Sequence, residues 1–78
     1  MKILKINTTK TRDGFRAWLN DDERVTATSR QSAYLAAENL AVMVFVGRNQ
    51  IRQISEDVLS KIVVRPIDGG GYRATYDD

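Results

Sequence analysis

Residues 14–20 alternate. Phe15, Ala17 and Leu19 fall on one side of an extended chain, and Arg16, Trp18 and Asn20 fall on the other. That is the period of a strand with one buried face. A strand over residues 2–8, with Leu4 and Ile6 on one face, precedes it, and a strand over residues 24–28, with Val25 and Ala27 inward, follows. Asp13-Gly14 is a hairpin signal, and the run Asn20-Asp21-Asp22-Glu23 is turn chemistry. The first 28 residues therefore predict a meander of three antiparallel strands.

The period then changes. From Arg30 to Val46, Ala33, Ala37, Leu40, Ala41, Val44 and Phe45 fall on one helical stripe. Ser29 stands where an N-cap is expected and Gly47 where a C-cap glycine belongs, with Arg48 just beyond. The stretch Leu40–Val46 is apolar nearly all round, so it needs cover on more than one side. Later residues of the chain or a second copy, meeting through Leu40, Val44 and Phe45, are the two ways to supply it. Residues 48–53 read as a polar connector. Ser55 caps a short helical turn with Glu56 and Asp57 in front and Val58, Leu59 and Ile62 as its apolar side. Residues 62–67 form a strand that Pro66 restricts to an edge or a bulge. Asp68-Gly69-Gly70-Gly71 turns the chain, and residues 72–76 return as its partner. The expectation is one α+β domain over residues 1–78: an antiparallel sheet of about five strands, with one long helix packed on it and one short helix.

The two Asp-Gly turns carry an echo. Gly14-Phe15-Arg16-Ala17 and Gly71-Tyr72-Arg73-Ala74 repeat glycine, aromatic, arginine, alanine. Convergence on shared hairpin chemistry and true internal duplication are the two accounts of such a repeat, and the first is preferred because nothing else in the two halves matches. It predicts equivalent strand positions for Arg16 and Arg73.

Composition narrows the chemistry. At 78 residues the chain has neither cysteine nor histidine, so disulfides, thiolate metal sites and imidazole catalysis are excluded. Twelve Lys and Arg against ten Asp and Glu give a net charge of +2, too mild for a committed nucleic-acid binder and the wrong sign for a DNA mimic. The carboxylate clusters Asp21-Asp22-Glu23, Glu56-Asp57 and Asp77-Asp78 fall in a turn, a first helical turn and a tail, which are solvated places unsuited to acid–base work. Asp68-Gly69-Gly70-Gly71 lacks the helix that a phosphate loop requires behind it. Ser60 and Lys61 are adjacent and would not face each other on a helix. The expectation is a non-enzymatic protein without metal or cofactor. No run is long enough to span a membrane and the start lacks a signal-peptide core, which reads as cytoplasmic.

The candidate contact residues are Arg16, Trp18 and Arg24, with Tyr72, Arg73 and Tyr76 as a second patch. A tryptophan beside arginine on a surface strand has the character of a binding hot spot, unless the short second helix covers it. The alternative is a nucleic-acid surface on the basic N-terminal sheet, using Lys5, Lys10, Arg12 and Arg16.

Asp13-Gly14-Phe15, Val25-Thr26-Ala27-Thr28 and Ser32-Ala33 together resemble the strand–strand–helix core of HicB-type antitoxins. The meander-then-helix order is also similar to the arm-binding domain of tyrosine recombinases. Both resemblances imply a nucleic-acid role. In general style the chain is similar to small phage-encoded inhibitors of the anti-CRISPR type. That resemblance implies action in the host cytoplasm on a protein partner, such as a CRISPR effector subunit, by blocking or sequestering it.

Overall fold

The computed structural model describes residues 1–47 and 56–77. The connector at 48–53 and the Ser55 cap lie outside the described residues. The elements are β1 (Lys2–Thr11), β2 (Gly14–Leu19), β3 (Asp22–Ser29), α1 (Ala33–Val46), α2 (Glu56–Ser60), β4 (Ile62–Pro66) and β5 (Tyr72–Tyr76). The strands form a five-stranded sheet in the order β3-β2-β1-β5-β4, and every pairing is antiparallel. The expected α+β architecture is therefore the observed one.

The first strand ends up in the centre. β2 and β5, the two echoed segments, pair with β1 from opposite sides. A glycine that packing requires starts β2 and immediately precedes β5. A Cβ on Gly14 would lie 2.5 Å from the Ser29 carbonyl oxygen, and one on Gly71 would lie 2.5 Å from that of Ile6. Phe15 and Tyr72 then turn toward the core, and Ala17 and Ala74 are fully buried. Arg16 and Arg73 occupy matching positions on the other face, one strand to either side of β1.

Alternation places Leu4, Ile6, Ala17, Ala27, Val64 and Ala74 on the side that α1 covers, where they pack with Ala36, Ala37, Leu40 and Ala41. Among the described residues, Ile6 and Leu40 are the largest side chains that are fully buried. Alanines supply much of the rest, which lets the helix backbone come close to the sheet. Such a core tolerates little loss: truncating a buried leucine to alanine costs about 2–5 kcal/mol, a large share of the stability of so small a domain. Aromatic pairs bracket the helix. Tyr34 meets Tyr72 edge-on at 6.1 Å near its start, and Phe45 meets Tyr76 at 5.4 Å near its end. Such pairs add roughly 0.5–1.5 kcal/mol beyond area burial.

Two expectations change. The helix starts at Ala33, not Arg30, and its N-cap is Ser32, whose hydroxyl accepts the Leu35 amide at 3.0 Å. The ladder from β2 continues to the Phe15–Ser29 pair, so the extended Thr-rich run keeps Ser29 in the sheet, where its hydroxyl accepts the Gln31 amide at 3.1 Å. The all-apolar end of the helix is also largely occupied within the chain. Leu40 has no exposed surface, and Val44 and Phe45 pack against the core.

The glycine geometry is open to test. Gly69 and Gly71 both have positive φ, +87° and +84°, but a Cβ on Gly69 meets nothing within 4 Å. Gly69→Ala should cost about 1–3 kcal/mol from backbone strain alone. Gly71→Ala should cost more, because it adds the collision with β1. Urea unfolding of both variants, with unchanged m-values, checks the ranking.

Candidate binding face of the sheet

The side of the sheet away from α1 carries a defined set of residues. Register makes its rows explicit. Thr28, Arg16 and Thr9 lie side by side across β3, β2 and β1, and Thr26, Trp18 and Asn7 form the next row. Farther along, Lys5 stands opposite Arg73, and Arg73 stands opposite Arg65, across β1, β5 and β4. All three cations are exposed, and none forms an ion pair with a described residue.

This row is electrostatically strained. Neighbouring strands lie about 4.8 Å apart, and like charges directly opposite are destabilising by a few tenths to about 1 kcal/mol per pair. Among the described residues no carboxylate occupies a position on the open face along β1, β2, β4 or β5; the acids lie in turns, at the start of β3 (Asp22 and Glu23), on the helices and just past the end of β5. The mild net charge of the chain thus hides a one-sided distribution, the kind of surface that attracts anions.

Trp18 is half-buried, and the Arg16 guanidinium sits 5.2 Å from its ring centroid, within cation–π range. The short helix α2 packs on β4, at the far end of the sheet from Trp18, and the neighbours of the ring among the described residues are Arg16, Thr26 and Asn7. Arg24 has a different engagement. The β2–β3 register breaks between Trp18 and Leu19, and beyond the break Arg24 closes on its own strand, with Nε 3.0 Å and Nη2 3.1 Å from the two Asp22 carboxylate oxygens. The Arg24 side chain is 90% exposed, so the pair adds little stability. Its hydrogen bonds nevertheless hold the Asp22 carboxyl below its ordinary range and raise the Arg24 guanidinium further.

The other candidates divide between the faces. Tyr72 and Tyr76 lie on the helix side, engaged with Tyr34 and Phe45, whereas Arg73 points the opposite way, so these three do not form one patch. Partial burial, and then the Glu38 carboxylate, raises the Tyr34 phenol above its ordinary value. Lys10 has the parity of Ile6 and Thr8 and belongs to the helix side, beyond the core, and Arg12 lies in the β1–β2 turn. Of the alternative basic set only Lys5 and Arg16 share the open face. Arg65 was not singled out by sequence reasoning. Its alternation with buried Val64 was the available signal, but its significance depends on the β5 and β1 neighbours that strand order alone supplies.

Among the described residues no group of three or more acidic, histidine or cysteine side chains could hold a metal ion, and no helix is long and apolar enough to cross a membrane. Comparison with protein-family models, curated proteins and solved structures finds no match. The open face therefore has to be interpreted from its own residues.

Two outcomes follow from the charges. Arg73→Thr should raise the unfolding midpoint in low salt by relieving repulsion from Lys5 and Arg65 at once, by about 0.5–2 kcal/mol for the two contacts, and the gain should shrink in 0.5 M salt, roughly, as screening shortens. Separately, Asp22 has a depressed folded-state pKa, so its contribution is present above the unfolded value and disappears as pH falls through the folded one. Carbon-13 NMR titration should find its midpoint below the ordinary aspartate value, and Arg24→Ala should return it toward that value.

Proposed function

We propose that this chain is a non-enzymatic binding module that blocks or sequesters a larger protein partner by occupying one of its surfaces, in the manner of small phage-encoded inhibitors of the anti-CRISPR type acting in the host cytoplasm. One observation carries the reading: among the described residues, the sheet face away from α1 exposes Arg16 beside Trp18 and, farther across the sheet, the abreast cations Lys5, Arg73 and Arg65, with Thr and Asn between them and no carboxylate along β1, β2, β4 or β5. A surface that keeps like charges in register at a cost in stability is suited to a partner that neutralises them. Tryptophan and arginine are the residue types that dominate binding hot spots. The target surface is accordingly acidic.

A second reading, a small nucleic-acid-binding domain, is favoured by the same cation row, since phosphates neutralise Lys and Arg equally well and Trp18 offers a stacking plane. Salt separates the two. A backbone binder contacting about three to five phosphates of a single strand should lose affinity with a log–log slope of about −2 to −3.5.

The discriminating experiment places a photo-crosslinking residue at Thr26, on the open face, or at Asn39, on the helix, in cells where the chain acts. A protein adduct formed at position 26 and absent at 39 is expected, with no gel shift of single-stranded or duplex DNA at physiological salt. Retention of DNA at that salt with the slope above would transfer the assignment to the second reading. Equal adducts at both positions would remove the open face as the site.

A further inference from the structure

The open face has an apolar corner next to its cation row. Moving two residues along each strand from Lys5, Arg73 and Arg65 gives Ile3, Thr75 and Val63, which are again in register. Ile3 is 62% exposed, Val63 40% and Met1 78%. Apolar side chains of this size are more usually left exposed singly than gathered beside arginines. Met1, Val63, Pro66 and Ile67 line an open depression of about 390 Å³ together with Arg65 and Arg73.

We propose that this depression, rather than the Trp18 patch, is the anchor subsite, and that its occupant is an acidic protein segment carrying one apolar side chain. The apolar side chain enters among Met1, Val63, Pro66 and Ile67, and its flanking carboxylates reach Arg65, Arg73 and Lys5. The inference rests on the proposed role of the open face in protein binding and specifies the chemistry recognised there.

Three features select this occupant. Arginine pairs bind carboxylates in a fork geometry that gives direction as well as charge, and Arg65 and Arg73 are held side by side by strand pairing. The volume lies at the small end of ligand pockets, about 300–1,000 Å³, which suits a side chain. The lining contains no aromatic ring, so a nucleobase would find no stacking plane there, whereas an aliphatic or aromatic side chain finds a matched apolar wall with a cationic rim, the arrangement of an interface anchor.

Fluorescence anisotropy tests this with a labelled heptapeptide of three glutamates, a leucine and three glutamates. The full chain should bind it, and replacing the leucine by serine should weaken binding about tenfold or more, as expected for a lost buried anchor. Arg65→Glu and Arg73→Glu should each reduce affinity by at least about tenfold, the scale of a lost charged anchor. Arg12→Glu, a charge-matched change in the β1–β2 turn away from the depression, should leave it within about twofold. If a glutamate variant fails to fold by circular dichroism, Arg65→Thr and Arg73→Thr replace it; the latter should gain thermal stability while losing the peptide, a combination that a merely structural residue does not produce. Equal affinity for the serine peptide, equal loss on Arg12→Glu, absence of peptide binding, or displacement of the peptide by an equimolar thymidine octamer would each overturn the proposal. Protein adducts at position 26 that survive Arg65→Thr and Arg73→Thr would sink this inference and leave the proposed function standing; no adduct at either position 26 or position 75, which lines the depression, would remove both.

Discussion

The close approach of α1 to the sheet is the contact on which the molecule depends. Ala36, Ala37 and Ala41 on the helix meet a sheet surface that includes Ala17 and Ala74, all of them fully buried, while Ile6 and Leu40 fill the larger spaces. Small side chains let two backbones come together, so dispersion contacts accumulate without much side-chain volume. One helix has one such face to offer. It covers one side of the sheet, and on the other side Lys5, Arg16, Arg65 and Arg73 are exposed among the described residues.

That asymmetry gives the exposed side its character. A sheet with both faces buried would read as continuous apolar strands. Here the outward positions of β1, β2, β4 and β5 are taken by Lys5, Arg16, Trp18, Arg65 and Arg73, among threonines and an asparagine, with Ile3 and Val63 at one corner. Asparagine and threonine make the surface wettable. The cations make it electrically one-sided, and their cross-strand opposition means that folding brings together charges that repel. Stability and recognition therefore pull in different directions along the Lys5–Arg73–Arg65 row, as they commonly do at binding surfaces.

The echoed segments show how local chemistry and topology cooperate. Glycine, aromatic, arginine and alanine have one duty each in both copies: close backbone approach, helix-side packing, outward charge, and room for the helix. Repeating the pattern on either side of β1 yields two outward arginines, yet their environments differ. Arg16 lies over Trp18 at 5.2 Å, whereas Arg73 stands between two other cations. The difference arises from the neighbours across the ladder, not from the motif.

Much of this was legible in the residues. Period-two alternation, the Asp-Gly turns and the helical stripe specified the strands, the long helix and the α+β class, because backbone geometry ties side-chain direction to spacing along the chain. Individual outward positions such as Arg16, Trp18 and Arg73 followed from the same parity. Parity also separated Tyr72 and Tyr76 from Arg73, although grouping them by proximity in sequence hid it. The helix start was misjudged by three residues, since Ser29 and Ser32 are equally good caps and only the length of the β2–β3 ladder chose between them. Strand order could not be read at all. Pairing β1 with β5 joins residues some seventy positions apart, and nothing local records which strands will be neighbours. The chain by itself thus determined which way each side chain would point; the tertiary structure alone decided that Lys5, Arg73 and Arg65 would stand abreast, because lateral adjacency in a sheet is a property of long-range pairing.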